Sequence, residues 1–280
     1  MACTGPIVAL KILKAEASKN NSELAMLLRL SDPSLQHPGK GHIIELLDYF
    51  EHHGPNGTHL CLVLPAMVSD ATAMTVNGRP HQAADVRSIS EQILSGLDLL
   101  HTLGIIHCVD DSAPEYLLPT QRPRGNLDDV DFSKLDVKIG DLCGAVCGPQ
   151  HDQKPATPTS LRAPELIRKN TWDAGIDIWA LGCLIFELAT NEPLFPLGTF
   201  GLTAEEVDQQ HINLISRLLG EDGHLHEDFT KHLTDRLPPD FGVENMQRLA
   251  SFLWSMLRPD PRTRMSTTEL LKHPFLIEAS

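Results

Sequence analysis

The run Val137-Lys138-Ile139-Gly140-Asp141-Leu142-Cys143 is short and apolar and ends on a carboxylate. Downstream come Ala163-Pro164-Glu165, then Asp177-Ile178-Trp179-Ala180-Leu181-Gly182, then Asp260-Pro261 with Arg264 and His273-Pro274-Phe275. Upstream stand His107, which follows a long helical pattern, and Val8-Ala9-Leu10-Lys11 with Glu23 beyond it. Each piece is weak alone, because a lysine on a strand is usually a solvated edge residue and a four-residue match arises by accident. Chance does not place all of them in this order.

The surrounding pattern changes character near residue 83. Residues 7–14, 43–49 and 59–64 are rich in Val, Ile, Leu and aromatics and are bounded by Gly, Pro, Asn or Ser, so they read as three strands. Between the first two, Ser22 is a candidate cap for a helix carrying Leu24, Leu27 and Leu28. Val86, Ile89, Ile93, Leu94, Leu97 and Leu100 then recur at three- and four-residue steps and predict an amphipathic helix. Residues 174–190 are apolar nearly all round and predict a helix buried at the centre of a larger unit, with further helices over 205–219, 244–257 and 266–272. Residues 119–136 and 220–242 are polar and read as loops. The expected fold is α+β, with a small β-rich lobe over 1–67 and a large helical lobe over 68–280.

At 280 residues and 41% apolar, the chain can bury a sizeable core. No apolar run approaches the ~20 residues needed to span a bilayer, and no leader pattern opens the chain, which predicts a cytoplasmic or nuclear protein. Cys3, Cys61, Cys108, Cys143, Cys147 and Cys183 are scattered and form no paired CxxC set, so reduced thiols are expected and the sequons at Asn20 and Asn56 are expected to stay idle. The net charge of −14 argues against nucleic acid or an anionic membrane as the main partner and suits a basic polypeptide. Acidity that merely keeps the chain soluble reads equally well.

The ordered motifs resemble those of the protein kinases, across essentially the whole chain. Val8-Ala9-Leu10-Lys11, residues 56–63, Gly104-Ile105-Ile106-His107 and the Asp141-Leu142 pair are most similar to SR-protein kinases, which phosphorylate serines in Arg/Ser-rich splicing factors. The resemblance implies ATP and Mg²⁺ as cofactors and a basic Arg/Ser-rich protein as substrate or partner. It also implies Lys11 on the nucleotide phosphates, Glu23 holding that lysine, Leu64 and Met67 beside the nucleotide, Asp141 on the metal, and Asp111 as catalytic base. Glu165 with Arg264 matches a buried ion pair, and Asp177 a brace for the catalytic loop. Phosphoryl transfer requires little beyond such positioning and charge neutralisation.

The pattern breaks in two places. The family's loop runs His-x-Asp-x-Lys-Pro-x-Asn, whereas here the span from His107 to Pro114 is two residues longer. Anchoring on Pro114 makes Asp111 the base and puts Ala113 and Tyr116 where a lysine and a metal-binding asparagine belong. The other register takes Asp110 as base and Glu115 as metal ligand but spoils the proline match. Tyrosine is a poor ligand for Mg²⁺, which prefers hard oxygen in tight octahedral geometry. Cys143 replaces the glycine of the metal motif. Only seven residues precede Val8 and they hold no G-x-G-x-x-G, so the chain as given is either a piece of a longer protein or lacks the strands that cover the nucleotide.

Two readings therefore stand: a serine/threonine kinase of SR-protein-kinase type, and a pseudokinase acting as a scaffold or binding module. The 14 histidines form no metal-ligand motif. Thr157, Thr159 and Ser160 are candidate phosphosites in a loop whose composition is also common without modification. Glu205, Glu206 and Asp208 are candidate carboxylates for a basic partner, although a solvated, dipole-favouring helix start reads as well for each.

Overall fold

Pro55 and Asn56 form a two-residue turn that sets Gly54 opposite Gly57, and this tight connection fixes the register of a hairpin. The computed structural model describes residues 7–67, 80–107, 134–148, 157–198, 200–220 and 226–277. The hairpin strands are β2 (Asp48–Gly54) and β3 (Gly57–Pro65), and β3 also pairs antiparallel with β1 (Val8–Ile12), giving a three-stranded sheet ordered β1-β3-β2. Three strands were expected from the sequence, but the second lies later than 43–49. Ile43 and Ile44 are buried in the core and meet Ile139 through backbone hydrogen bonds instead of joining the sheet. The turn at 55–56 overrode the apolar signal.

Helix α1 (Ser22–Leu30) lies between β1 and β2 in the chain. Its cap is Asn21 and not Ser22: the Asn21 side chain accepts from the Leu24 amide while Ser22 already sits in the first turn. Ala9 and Lys11 stand opposite Leu64 and Leu62, so the four side chains share one face of the sheet.

The rest of the described chain is mainly helical. Helix α2 (Ala83–Thr102) leads to β4 (Ile105–Ile106), which pairs with β5 (Val146–Cys147). Then follow α3 (Pro164–Ile167), α4 (Gly175–Thr190), α5 (Ala204–Leu219), α6 (His226–Thr234), α7 (Val243–Met256) and α8 (Thr267–Leu270). Helix α4 is the expected central helix, with Trp179, Ile185 and Phe186 at 0% exposure. Helix α6 corrects the reading of 220–242 as loop: Phe229 and Leu233, four residues apart, are fully buried among polar neighbours. Gly39, in the turn at Pro38–His42, packs so tightly on α2 that a Cβ there would lie 1.8 Å from the Ser95 carbonyl oxygen. Among the described residues no helix is long and apolar enough to cross a membrane.

Candidate active site

Lys11 projects from β1 toward α1 and the turn after Asp141. Its Nζ lies 2.9 Å from Glu23 Oε1 and 2.6 Å from Asp141 Oδ1, so three residues separated by up to 130 positions meet at one ammonium. Burial opposes the charged ammonium, but the hydrogen bonds and charges of Asp141 and Glu23 outweigh it and raise the Lys11 pKa. Lys11 is held as a cation.

Asp141 adopts a left-handed backbone (φ 55°, ψ 69°) just before the single turn Leu142–Gly144, a conformation that costs a non-glycine residue free energy. The strained backbone delivers its carboxylate to Lys11. Burial works to raise its pKa, but the hydrogen bonds of Cys143 and Lys11, with the charges of Lys11 and His107, hold it below the ordinary carboxylate value. The Cys143 thiol donates to the same oxygen, Oδ1, at 2.9 Å. Burial first, and that bond to Asp141 second, push the thiol pKa up to about 12, so Cys143 is a neutral donor at physiological pH.

Glu23 is 2% exposed, and its second oxygen, Oε2, is buried without a hydrogen-bond partner among the described residues. One ammonium faces two carboxylates here, which leaves one negative charge uncompensated in the trio. Such a deficit suits a cation, since a buried unpaired charge is costly. The Asp141 side chain is 62% exposed and open to a ligand. The residues present thus fit both a bound phosphate on Lys11 and a divalent cation on Asp141. Among the described residues no three His, Cys, Asp or Glu converge on a single metal position, so a cation would complete its shell with ligand or water oxygens.

Behind this trio lies a brace. Asp177, on α4, accepts the His107 amide at 2.8 Å on Oδ2, and His101 Nε2 lies 2.9 Å from the same oxygen. His107 Nε2 is 2.9 Å from the Gly140 carbonyl, which only accepts, so that nitrogen carries the proton. His107 therefore ties the central helix to the residue preceding Asp141. Farther off, Glu165 and Arg264 form the expected buried ion pair, at 2.6 and 2.7 Å, with Arg264 also donating to the Gly175 carbonyl and lying over the Trp179 ring.

The remaining site expectations divide. Leu64 lies half-buried on the same sheet face as Lys11, and Met67 lies beyond the end of β3, exposed. Asp111, with Asp110, Ala113, Glu115 and Tyr116, falls outside the described residues. Thr157 is buried at 4% exposure, which removes it as an accessible phosphosite, while Thr159 and Ser160 are half-buried. Asp208 is not free for a basic partner, because Arg162 Nη1 holds it at 2.9 Å. Glu206 closes a capping box with Thr203, and Glu205 is exposed in that first turn. Sequence reasoning missed the Cys143 contact with Asp141, although the Asp-x-Cys spacing was its signal. It also missed His101, whose position in the last turn of α2 was the available clue.

A family model described as protein kinase domain matches residues 2–276. The chain is 27% identical to the serine/threonine-protein kinase SRPK of Physarum polycephalum, over 98% of this chain and 80% of that protein. It is 25% identical to the dual specificity protein kinase CLK1 of Homo sapiens over 97% of this chain, and spans only 60% of that relative's length. It is 24% identical to the protein kinase dsk1 of Schizosaccharomyces pombe, over 98% of this chain and 76% of that protein.

Proposed function

The chain belongs to the protein kinase family, and on that premise we propose that it is an SR-protein-kinase-type enzyme that transfers phosphate from ATP to serine or threonine of a basic Arg/Ser-rich protein in the cytoplasm or nucleus. The observation that carries this reading is Lys11 Nζ set between Glu23 Oε1 and Asp141 Oδ1 at 2.9 and 2.6 Å. In it, Lys11 binds and orients nucleotide phosphate, Glu23 holds Lys11, and Leu64 and Met67 flank the base. Asp141 holds Mg²⁺, which when bound neutralises phosphate charge. Asp111 receives the proton of the attacking hydroxyl. Relatives named as serine/threonine and dual specificity kinases support the transfer chemistry.

A second reading has its own support. Ala113 and Tyr116 stand where the family's loop carries a lysine and a metal-binding asparagine, and this favours a pseudokinase that binds nucleotide or protein without transfer. One experiment separates the two: label transfer from γ-labelled ATP to an Arg/Ser-repeat peptide, alongside calorimetric ATP binding. Transfer that disappears in Lys11→Ala supports the kinase. ATP binding without transfer above the Lys11→Ala background gives the pseudokinase, and the loss of both overturns the nucleotide-site reading.

A further inference from the structure

We propose that Cys143 makes the Asp141 cation site thiophilic, so that the Asp141 carboxylate and the Cys143 sulfur together take a soft or borderline divalent ion such as Cd²⁺ or Zn²⁺ in preference to Mg²⁺. The inference deepens the proposed function and rests on its assignment of Asp141 as the cation-holding carboxylate. Geometry is the first support. Asp141 and Cys143 flank one residue of a single turn, and their side chains converge with Sγ 2.9 Å from Oδ1. An ion with about 2.3 Å to sulfur and about 2.1 Å to oxygen spans roughly 3.1 Å between the two at a right angle and roughly 3.6 Å at the tetrahedral angle. Side-chain rotations that part the pair by about 0.2 to 0.7 Å therefore admit the ion as a chelate.

Glu23 supplies the second, independent support. It sits on α1, which packs against the turn Leu142–Gly144, and its Oε1 shares the Lys11 ammonium with Asp141. Its Oε2 is buried and unpartnered among the described residues, and among them Lys11 is the one ammonium or guanidinium shown in ion-pair contact with the carboxylates of Glu23 and Asp141. A divalent cation between Asp141 and Cys143 meets that excess negative charge. The choice of ion follows from the donors: Mg²⁺ demands oxygen in near-ideal octahedral geometry, whereas thiolate selects softer ions. The S–H bond breaks as the metal–sulfur bond forms, the proton passes to water, and no electron is transferred.

The test uses the whole chain and Cd²⁺ alone, without nucleotide, following the ultraviolet sulfur-to-cadmium charge-transfer band during titration. Cys143→Ser and Asp141→Asn are titrated beside the wild type, with thermal melts confirming that each is folded; Cys143→Gly serves if the serine variant is not. The expected result is a saturable site that each substitution weakens about tenfold or more, and that millimolar Mg²⁺ does not displace. Equal Cd²⁺ affinity in wild type and the Cys143 variant overturns the proposal, as does a site that Asp141→Asn leaves unchanged. Because no nucleotide is present, failure of ATP binding or phosphate transfer bears on the proposed function and leaves this result independent.

Discussion

The Glu165 carboxylate meets the Arg264 guanidinium end on, its two oxygens accepting from Nη1 and Nη2, at 3% and 1% side-chain exposure. The two residues are 99 positions apart, so the pair fastens α3 to the turn before α8. Removing one partner strands a buried charge. Arg264→Ala should lower stability by roughly 3–5 kcal/mol, read as a fall in the urea midpoint, and Glu165→Ala by a similar amount. A loss under about 1 kcal/mol in both would mean that the pair contributes no more than an exposed one.

His211 on α5 is fully buried against Phe195, with neither ring nitrogen hydrogen-bonded among the described residues. Burial, and then the charge of Arg162, push its pKa down to about 4. The unfolded chain therefore takes up a proton near pH 6.5 that the folded chain refuses until about pH 4, and stability falls as pH drops through that window. The expected loss is of order 3 kcal/mol by pH 4. Urea melts at pH 7, 5 and 4 measure it. His211→Leu should flatten that part of the profile, and an unchanged slope in the variant would assign the effect to other groups.

Gly39→Ala tests the approach of the Pro38–His42 turn to α2. The added carbon meets a backbone carbonyl that cannot rotate away. A loss of about 2 kcal/mol or more is expected, from the temperature of unfolding, whereas Gly41→Ala, whose Cβ meets nothing within 4 Å, should cost little. Equal melting of the two variants would refute the packing argument.

ATP affinity should be weak and only modestly metal-dependent, since Asp141 is the main carboxylate available to a metal and Lys11 already shares it. Chelating Mg²⁺ should weaken binding by roughly tenfold or less, while Lys11→Ala should abolish it. Calorimetric titration decides the matter. Micromolar affinity that collapses without Mg²⁺ would show a fully equipped metal site.

The α+β architecture, the three strands, the buried central helix and the Glu165–Arg264 pair were legible in the sequence because each rests on periodicity or on an ordered motif. Lys11, Glu23 and Asp141 were legible the same way. What escaped depended on geometry that residue type does not carry. The placement of β2 followed from a two-residue turn, Asp208 was claimed by Arg162 from 46 positions away, and Phe229 with Leu233 hid a helix among charges. The thiol of Cys143 meets Asp141 across a turn that Asp141 enters with a left-handed backbone.

Lys11 stands on a strand bordered by β3 alone within the described sheet, with Val8, Leu10 and Ile12 about half exposed. An edge strand opens more readily than one with two neighbours, and the contacts of Lys11 with Glu23 and Asp141 act as its second border. Whatever binds at Asp141 therefore alters how often β1 opens. Deuterium uptake at the β1 amides becomes a gauge of site occupancy, needing neither a substrate nor a turnover.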